Sequence, residues 1–193
     1  MFVIPIYDMI ILPEVTYYFK QDVFRELNLQ EELKEDEEVV FLMLKEDRNR
    51  DEMRPEDFFP IGVSGKVEGI DSEGSVSVRS IQATPDMMTA DVEARSGEQD
   101  LDAEEAKLRF DKLRTSMLKF IQRFQWGIWA RSYVLHWKNV SEVVSALSAY
   151  LNLTNEEKYA ILETDSTRER FEKMERSVYE FMEIARVGEE AEN

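Results

Sequence analysis

The chain has 193 residues, no cysteine and a formal net charge of −17 at pH 7. The absence of cysteine excludes disulfides, thiolate metal sites and cysteine nucleophiles, and the acidity argues against a nucleic-acid partner, because phosphate backbones would be repelled. No apolar run reaches the roughly 18 residues of a membrane span, and the amino terminus lacks the pattern of a signal peptide. We therefore expect a cytoplasmic protein that binds neither nucleic acid nor membrane.

The first hundred residues predict a small sheet with one helix. Alternating or continuous apolar runs predict strands at residues 2–7, 15–20, 39–44, 59–70, 75–82 and 87–94. A helix is predicted from Asp22 to about Lys34, and a turn at 71–74 joins two strands in a hairpin. Short strands separated by turns favour a curved, mostly antiparallel sheet.

After residue 100 the apolar period changes from two to about 3.6, which is typical of amphipathic helices. Asp102 or a neighbouring residue is the predicted cap of a helix of about 22 residues, and a second helix follows at 141–151. Capping boxes that begin at Thr154 and Ser166 open two more. The fold class expected is α+β, with a β-rich subdomain at 1–95 followed by a bundle of four or five helices at 102–187. A polar boundary lies at 96–100, and a charged tail at 188–193 is expected to fray.

Motifs for catalysis are missing from the sequence. No glycine-rich phosphate loop is present, and His136, the only histidine, cannot form a two-histidine zinc site. It is expected to be partly buried or at an interface. Acidic pairs such as Glu156 and Glu157 lie in charged runs. We expect no catalytic, cofactor-binding or metal-binding residue, and no cofactor. An enzyme with an unfamiliar carboxylate site remains an alternative, which would require one buried and one solvated carboxylate.

Two groups of apolar residues are candidates for contacting a partner. Trp126, Trp129 and Trp137 follow the long helix within twelve positions, and Met9 and Ile10 follow the first strand. Aromatic residues in a linker between helices more often form the packing seam of a bundle. If exposed, they offer an adaptable apolar surface instead. Met9, Ile10, Trp126 and Trp129 are therefore the candidate substrate contacts.

Several short motifs are spread along nearly the whole chain: Ile4-Pro5-Ile6, Leu12-Pro13, Ile61-Gly62-Val63, Lys158 and Arg170-Phe171. With the order of strands first and helices after, they resemble the amino-terminal domain of Lon, the ATP-dependent protease. Three positions depart from the family pattern. Ser80, Ala83 and Ser145 stand where the family more often has glycine, arginine and aspartate.

The resemblance implies a module that recognises unfolded or damaged polypeptides for ATP-dependent proteolysis and helps to organise a hexamer. In Lon it precedes an ATPase and a serine-lysine peptidase, which this sequence does not include. The chain is thus expected to bind rather than cut. Its expected partners are unfolded polypeptides, its own ATPase and protease domains, and further copies of itself. The alternative is a free-standing Lon-like adaptor or scaffolding domain unconnected to proteolysis.

Overall fold

The computed structural model describes residues 1–15, 37–66, 71–83 and 88–192. The predicted helix at 22–34 and nearly all of the predicted strand at 15–20 lie outside these ranges. The described residues form an α+β fold, as predicted, in two compact units. Unit 1 comprises Met1–Ser96 and Thr154–Glu163, and unit 2 comprises Gly97–Leu153 and Thr164–Asn193.

In the described part of unit 1, five strands form a closed barrel in sequence order. They are β1 (Phe2–Ile6), β2 (Glu38–Leu44), β3 (Phe58–Lys66), β4 (Asp71–Ala83) and β5 (Met88–Ala94). The β1–β2 pair is parallel and every other pair is antiparallel, so the sheet is mostly antiparallel, as predicted. Pairing of Phe2 with Thr89 closes the ring. The predicted turn at 71–74 is instead the beginning of β4 and pairs with β3.

Five helices occupy the described part of the chain after residue 100. They are α1 (Ala103–Ile121), α2 (Gly127–His136), α3 (Val140–Ala146), α4 (Asn155–Glu163) and α5 (Thr167–Glu192). The linker predicted after α1 is in fact α2, and the tail predicted to fray is the end of α5. One glycine, Gly188, costs a helix only about 1 kcal/mol, and the glutamates around it are good helix formers, so the helix continues.

Strand β2 is buried on both faces, which explains its continuous apolar run. Alternate side chains point to opposite sides of a strand. One set, with Phe41 at its centre, packs in a cluster that includes Tyr159 and Leu162 of α4. The other set, with Leu42 at its centre, packs against Met88 of β5.

Helix α4 therefore belongs to unit 1, whereas the sequence placed it in the helical bundle. The apolar side chains of α4 complete the core of the sheet unit. The Tyr159 ring stacks on Phe59 of β3, with ring centroids 4.0 Å apart. Sequence position alone suggested the helical half, because α4 lies between two helices of unit 2.

Unit 2 is formed by the remaining helices. Helix α1 contacts α2 and α5, and α3 contacts α5. The Asp102 side chain caps α1 by accepting a hydrogen bond from the Glu104 amide at 2.9 Å, as predicted. Arg168 at the beginning of α5 binds both carboxylate oxygens of Glu105 on α1, at 2.6 and 2.9 Å. Two-point pairing of this kind fixes the orientation of the two helices.

Candidate functional site

Helix α2 carries large apolar side chains on its exposed face. Ile128 is 82% exposed, Trp129 79% and Tyr133 70%, while Leu135 is half-exposed. At 100° per residue, these four side chains fall within an arc of about 160°. A helix that is apolar all round is usually buried. We call this surface the α2 face, and its exposure indicates a binding surface.

The opposite side of α2 holds the helix against unit 2. Val134 and Gly127 are buried there. A Cβ atom at Gly127 would lie 1.9 Å from the carbonyl oxygen of Ile121, so only glycine permits this close approach to the end of α1. The chain can therefore turn sharply after α1 and begin α2 within six residues.

Aromatic stacking connects the beginning of α2 to the core of unit 2. Trp126 is half-exposed and stacks on Phe124, with centroids 4.8 Å apart and planes 19° apart. Phe124 meets Phe120 edge to face, and Phe120 meets Phe181 of α5 in the same way. Trp126 is thus fixed in place on one side and open to solvent on the other. A preordered surface loses less entropy when a partner binds.

Trp126 and Trp129 are both exposed at the beginning of α2, whereas the neighbours Met9 and Ile10 differ in exposure. Met9 is 38% exposed, whereas Ile10 is only 1% exposed. Ile10 is part of the core of unit 1, so it cannot contact a partner while the protein is folded. The sequence-based assignment of Ile10 as a contact is wrong for this reason. It also omitted Ile128, Tyr133 and Leu135, which a helical projection of residues 127–136 would have found.

The segment that carries Ile10 is held by polar groups of α4. The Lys158 ammonium, almost fully buried, donates to the Asp8 carboxylate at 2.6 Å and to the Asp8 carbonyl at 3.0 Å. The Asn155 side chain accepts from the Asp8 amide at 2.9 Å and donates to the Leu44 carbonyl at 2.7 Å. Both side chains hold the segment after β1 against α4. Lys158, one of the residues that carry the Lon resemblance, is therefore structural.

The other residues that the sequence or the electrostatics single out, Arg170, His136 and Tyr159, also give no sign of a catalytic or binding role. Arg170 donates to the Thr164 carbonyl at 3.1 and 2.6 Å, just before α5. His136 is exposed rather than partly buried, and its Nδ1 donates to the Ser132 carbonyl within α2. Burial raises the pKa of Tyr159 to about 12.

Neither metal ligation nor the small cavity beside Lys158 points to a small-molecule site in the described ranges. No group of three or more His, Asp or Glu side chains in them could hold a metal ion. A cavity of about 10 Å³ in unit 1, lined by Lys158 among apolar residues, has room for at most about one water molecule. No helix in these ranges has the length and apolarity needed to cross a membrane. What the described chain does offer is an exposed apolar surface.

Comparison with known proteins agrees with this emphasis on binding. The family described as "ATP-dependent protease La (LON) substrate-binding domain" matches residues 1–178. The chain belongs to this family. It thus has a Lon-related substrate-binding role, and the resemblance expected from the sequence is confirmed. Lon protease of Clostridium beijerinckii is 23% identical over 179 residues, which cover 87% of this chain but 22% of that protein. The chain thus spans about a fifth of that relative.

A solved structure of a Lon amino-terminal domain shows the same fold. The amino-terminal domain of Mycobacterium avium complex Lon protease superposes with a TM-score of 0.56 at 18% identity, over 94% of this chain and 97% of that one. A Lon amino-terminal domain protein from Xanthomonas campestris gives 0.46 at 13% identity, over 90% and 95%. The first likeness supports the α+β fold of this Lon-family chain, and the second is too loose to support an argument.

Proposed function

We propose that the chain recognises unfolded or damaged polypeptides through the α2 face and presents them for ATP-dependent proteolysis by Lon, without catalysis of its own. The exposure of Ile128, Trp129 and Tyr133 on one helix carries the proposal. Large apolar side chains gain free energy when a partner covers them, at roughly 25 cal/mol per Å². Unfolded polypeptides expose the same kind of surface, whereas most folded proteins bury it.

The substrate-binding description of the family supports this role. Within unit 2 other large apolar side chains are also exposed, including Leu108 on α1 and Tyr150 after α3. Scattered exposed apolar residues are ordinary in proteins. Helix α2 differs because four large exposed apolar side chains share one arc of a single helix. The stacked rings of Trp126 and Phe124 hold the beginning of that helix. Met9 of unit 1 stays a separate proposed contact.

A single α2 face should bind weakly. Ordering a flexible polypeptide opposes association, so we expect micromolar or weaker affinity for one isolated domain. Several copies arranged in one Lon assembly would bind the same polypeptide together and raise the effective concentration. Such weak contacts also let a polypeptide leave one site and reach the next, as delivery to a protease requires.

The test uses two matched double variants. Ile128→Ser with Tyr133→Ser removes apolar area from the α2 face, and Leu108→Ser with Tyr150→Ser removes similar side chains of similar exposure elsewhere. Binding of an uncharged, apolar-rich unfolded peptide is followed by anisotropy. The first variant should bind at least about tenfold more weakly and the second within about twofold of the wild type. Equal affinity of the α2 variant and the wild type would rule out the α2 face as the binding surface.

A Lon-like adaptor or scaffold is the second candidate, because the same rigid apolar face would suit one permanent folded partner. Obligate interfaces are more apolar than transient ones. The two functions differ in how strongly binding depends on the order of residues in the peptide. Recognition of unfolded chains predicts that a peptide and its scrambled version bind with similar affinity. A scaffolding surface shaped for one partner predicts that neither peptide binds measurably.

A further inference from the structure

The charge around the α2 face is opposite to that of the chain as a whole. Between Asp111 and Glu142 there are six basic residues and no acidic ones. Since the whole chain carries −17, all residues outside this stretch together carry −23. The stretch includes the end of α1, all of α2 and the beginning of α3. The most exposed helix of unit 2 thus lies in the most basic part of the sequence.

Three exposed basic residues lie before, on and after α2. Arg123 precedes α2, Arg131 lies at the edge of its exposed arc and Lys138 follows its last turn; all three are exposed. Within the described part of the chain, none of these three side chains forms an ion pair. In contrast, Arg114 binds the Asp111 carboxylate at 2.7 Å, so its charge is already neutralised. Arg123, Arg131 and Lys138 are available to a partner.

We propose that the preferred occupant of the α2 face is an unfolded polypeptide segment in which apolar residues are flanked by aspartate or glutamate. This inference rests on the proposed function and specifies its substrate class. Net charge alone would suggest the reverse, a preference for basic polypeptides. Contacts at short range decide the preference, however, because salt screens charges beyond about 8 Å at physiological ionic strength. Arg131 is on α2 itself and Arg123 and Lys138 flank it, so a segment bound on the α2 face meets these cations first, whereas distant acidic residues are largely screened.

A polypeptide fits these observations better than nucleic acid does. Duplex DNA carries one charge per about 1.7 Å, so a long strand would meet the −23 of the remaining chain at many points. A short acidic segment carries only a few charges and can place them beside Arg123 and Arg131. Its apolar side chains then cover Ile128 and Leu135, which a phosphate backbone would leave exposed.

The experiment compares two peptides with the same apolar centre, one flanked by glutamates and one by lysines. At low salt the glutamate-flanked peptide should bind about three- to tenfold more tightly, the range expected from two or three exposed charge contacts. The ratio should fall towards one at about 0.5 M salt. Equal affinities at low salt, or tighter binding of the lysine-flanked peptide, would overturn the inference.

Two variants with the same change in net charge locate the effect. Arg123→Glu with Arg131→Glu should invert the preference, whereas Lys107→Glu with Arg176→Glu should preserve it. Lys107 and Arg176 are exposed and lie outside the basic stretch; Lys107 is about 18 Å along α1 from Lys119. Inversion by both variants would show a long-range effect of net charge and would overturn the assignment to α2.

Further controls separate this inference from the proposed function and from other anionic partners. If the uncharged peptide binds at α2 but the charged pair does not differ, only the inference fails. If no peptide binds, both fail. Tighter binding of single-stranded DNA or of phosphatidylglycerol vesicles, in competition with the glutamate-flanked peptide, would assign the face to those partners instead. Salt-sensitive dimerisation that blocks the peptide would assign it to a second copy of the chain.

Discussion

Replacing Asn155 with alanine should destabilise unit 1 while leaving unit 2 almost unchanged. Asn155 is the first residue of α4 and is buried. Its side chain connects the Asp8 amide, at 2.9 Å, to the Leu44 carbonyl at the end of β2, at 2.7 Å. The helix, the segment after β1 and the end of β2 are thereby joined through one amide group. Alanine favours the helix but removes both bonds, together with a longer one from the same amide group to the Lys45 carbonyl, which at 3.4 Å contributes little.

The cost follows from the two groups that lose their partner. The Leu44 carbonyl is buried and would lose the hydrogen bond from the amide, which costs about 1–3 kcal/mol, while the partly exposed Asp8 amide can recover a bond to water at about 1 kcal/mol. We therefore expect a loss of about 2–4 kcal/mol in the free energy of unfolding of unit 1. Some amide hydrogens exchange only when unit 1 unfolds. Because 1.4 kcal/mol corresponds to a factor of ten, their protection against exchange should fall by a factor of about 30 to 700.

The position of the tryptophans makes the two units separately observable. Trp126, Trp129 and Trp137 all belong to unit 2, so tryptophan fluorescence in urea follows unit 2. Hydrogen exchange measured on peptides from β2 follows unit 1. Asn152→Ala is the control, because Asn152 lies three residues earlier, is exposed and makes no side-chain hydrogen bond within the described ranges.

The expected result is loss of protection in β2 with an unchanged fluorescence transition for Asn155→Ala, and no change of either kind for Asn152→Ala. Unchanged β2 protection in Asn155→Ala would refute the assignment of α4 to unit 1. A fluorescence transition that shifts together with β2 exchange would show that the units unfold as one, and the magnitude worked out for unit 1 alone would then be wrong.

Three further predictions concern single side chains. Burial raises the pKa of Tyr159 to about 12, so the stabilisation that depends on its neutral phenol is complete below pH 10, and up to about 3 kcal/mol of it is lost between pH 10 and 12. Tyr159→Phe should remove this component of the pH dependence of β2 exchange. Gly127→Ala should cost about 1–3 kcal/mol in unit 2 and weaken peptide binding, because its Cβ would meet the Ile121 carbonyl; an unchanged fluorescence transition would contradict the close approach. Asp100→Ala should lower the urea midpoint of unit 2, since the Asp100 carboxylate accepts a hydrogen bond from the Arg168 amide at 2.9 Å, and an unchanged midpoint would show that this cap is dispensable.

The elements of the fold were largely predictable from the sequence, but their grouping was not. A continuous apolar run locates β2, and an apolar period of about 3.6 locates α1, because each pattern reflects which sides of the element face the core. The capping box that begins at Thr154 also locates the beginning of α4, where the Thr154 hydroxyl accepts from the Glu157 amide at 3.2 Å. Membership of α4 in unit 1 depends on contacts with residues more than ninety positions away, such as Tyr159 with Phe59, which no local pattern records.

The candidate site was predictable only in part, for a related reason. Trp126 and Trp129 were identified by residue type, but α2 itself was missed. Its apolar residues occur on all sides, so it lacks the period that marks an amphipathic helix, and Gly127 with no side-chain cap resembles a linker. Met9 and Ile10 are neighbours of equal hydropathic character, and only the tertiary fold shows that one is exposed and the other buried.

Because unit 1 consists of two separate stretches of chain, it cannot complete its fold until the second stretch has been synthesised. A nascent chain that has emerged only as far as Ser96 holds β1 to β5 but lacks Tyr159 and Leu162, which cover one side of β2. That side stays open to water while the next sixty or so residues are made. A fragment cut at Ser96 would carry the same uncovered apolar surface permanently and should aggregate. Restoring α4 through a short linker, as in a circularly permuted unit 1, should return it to a soluble form.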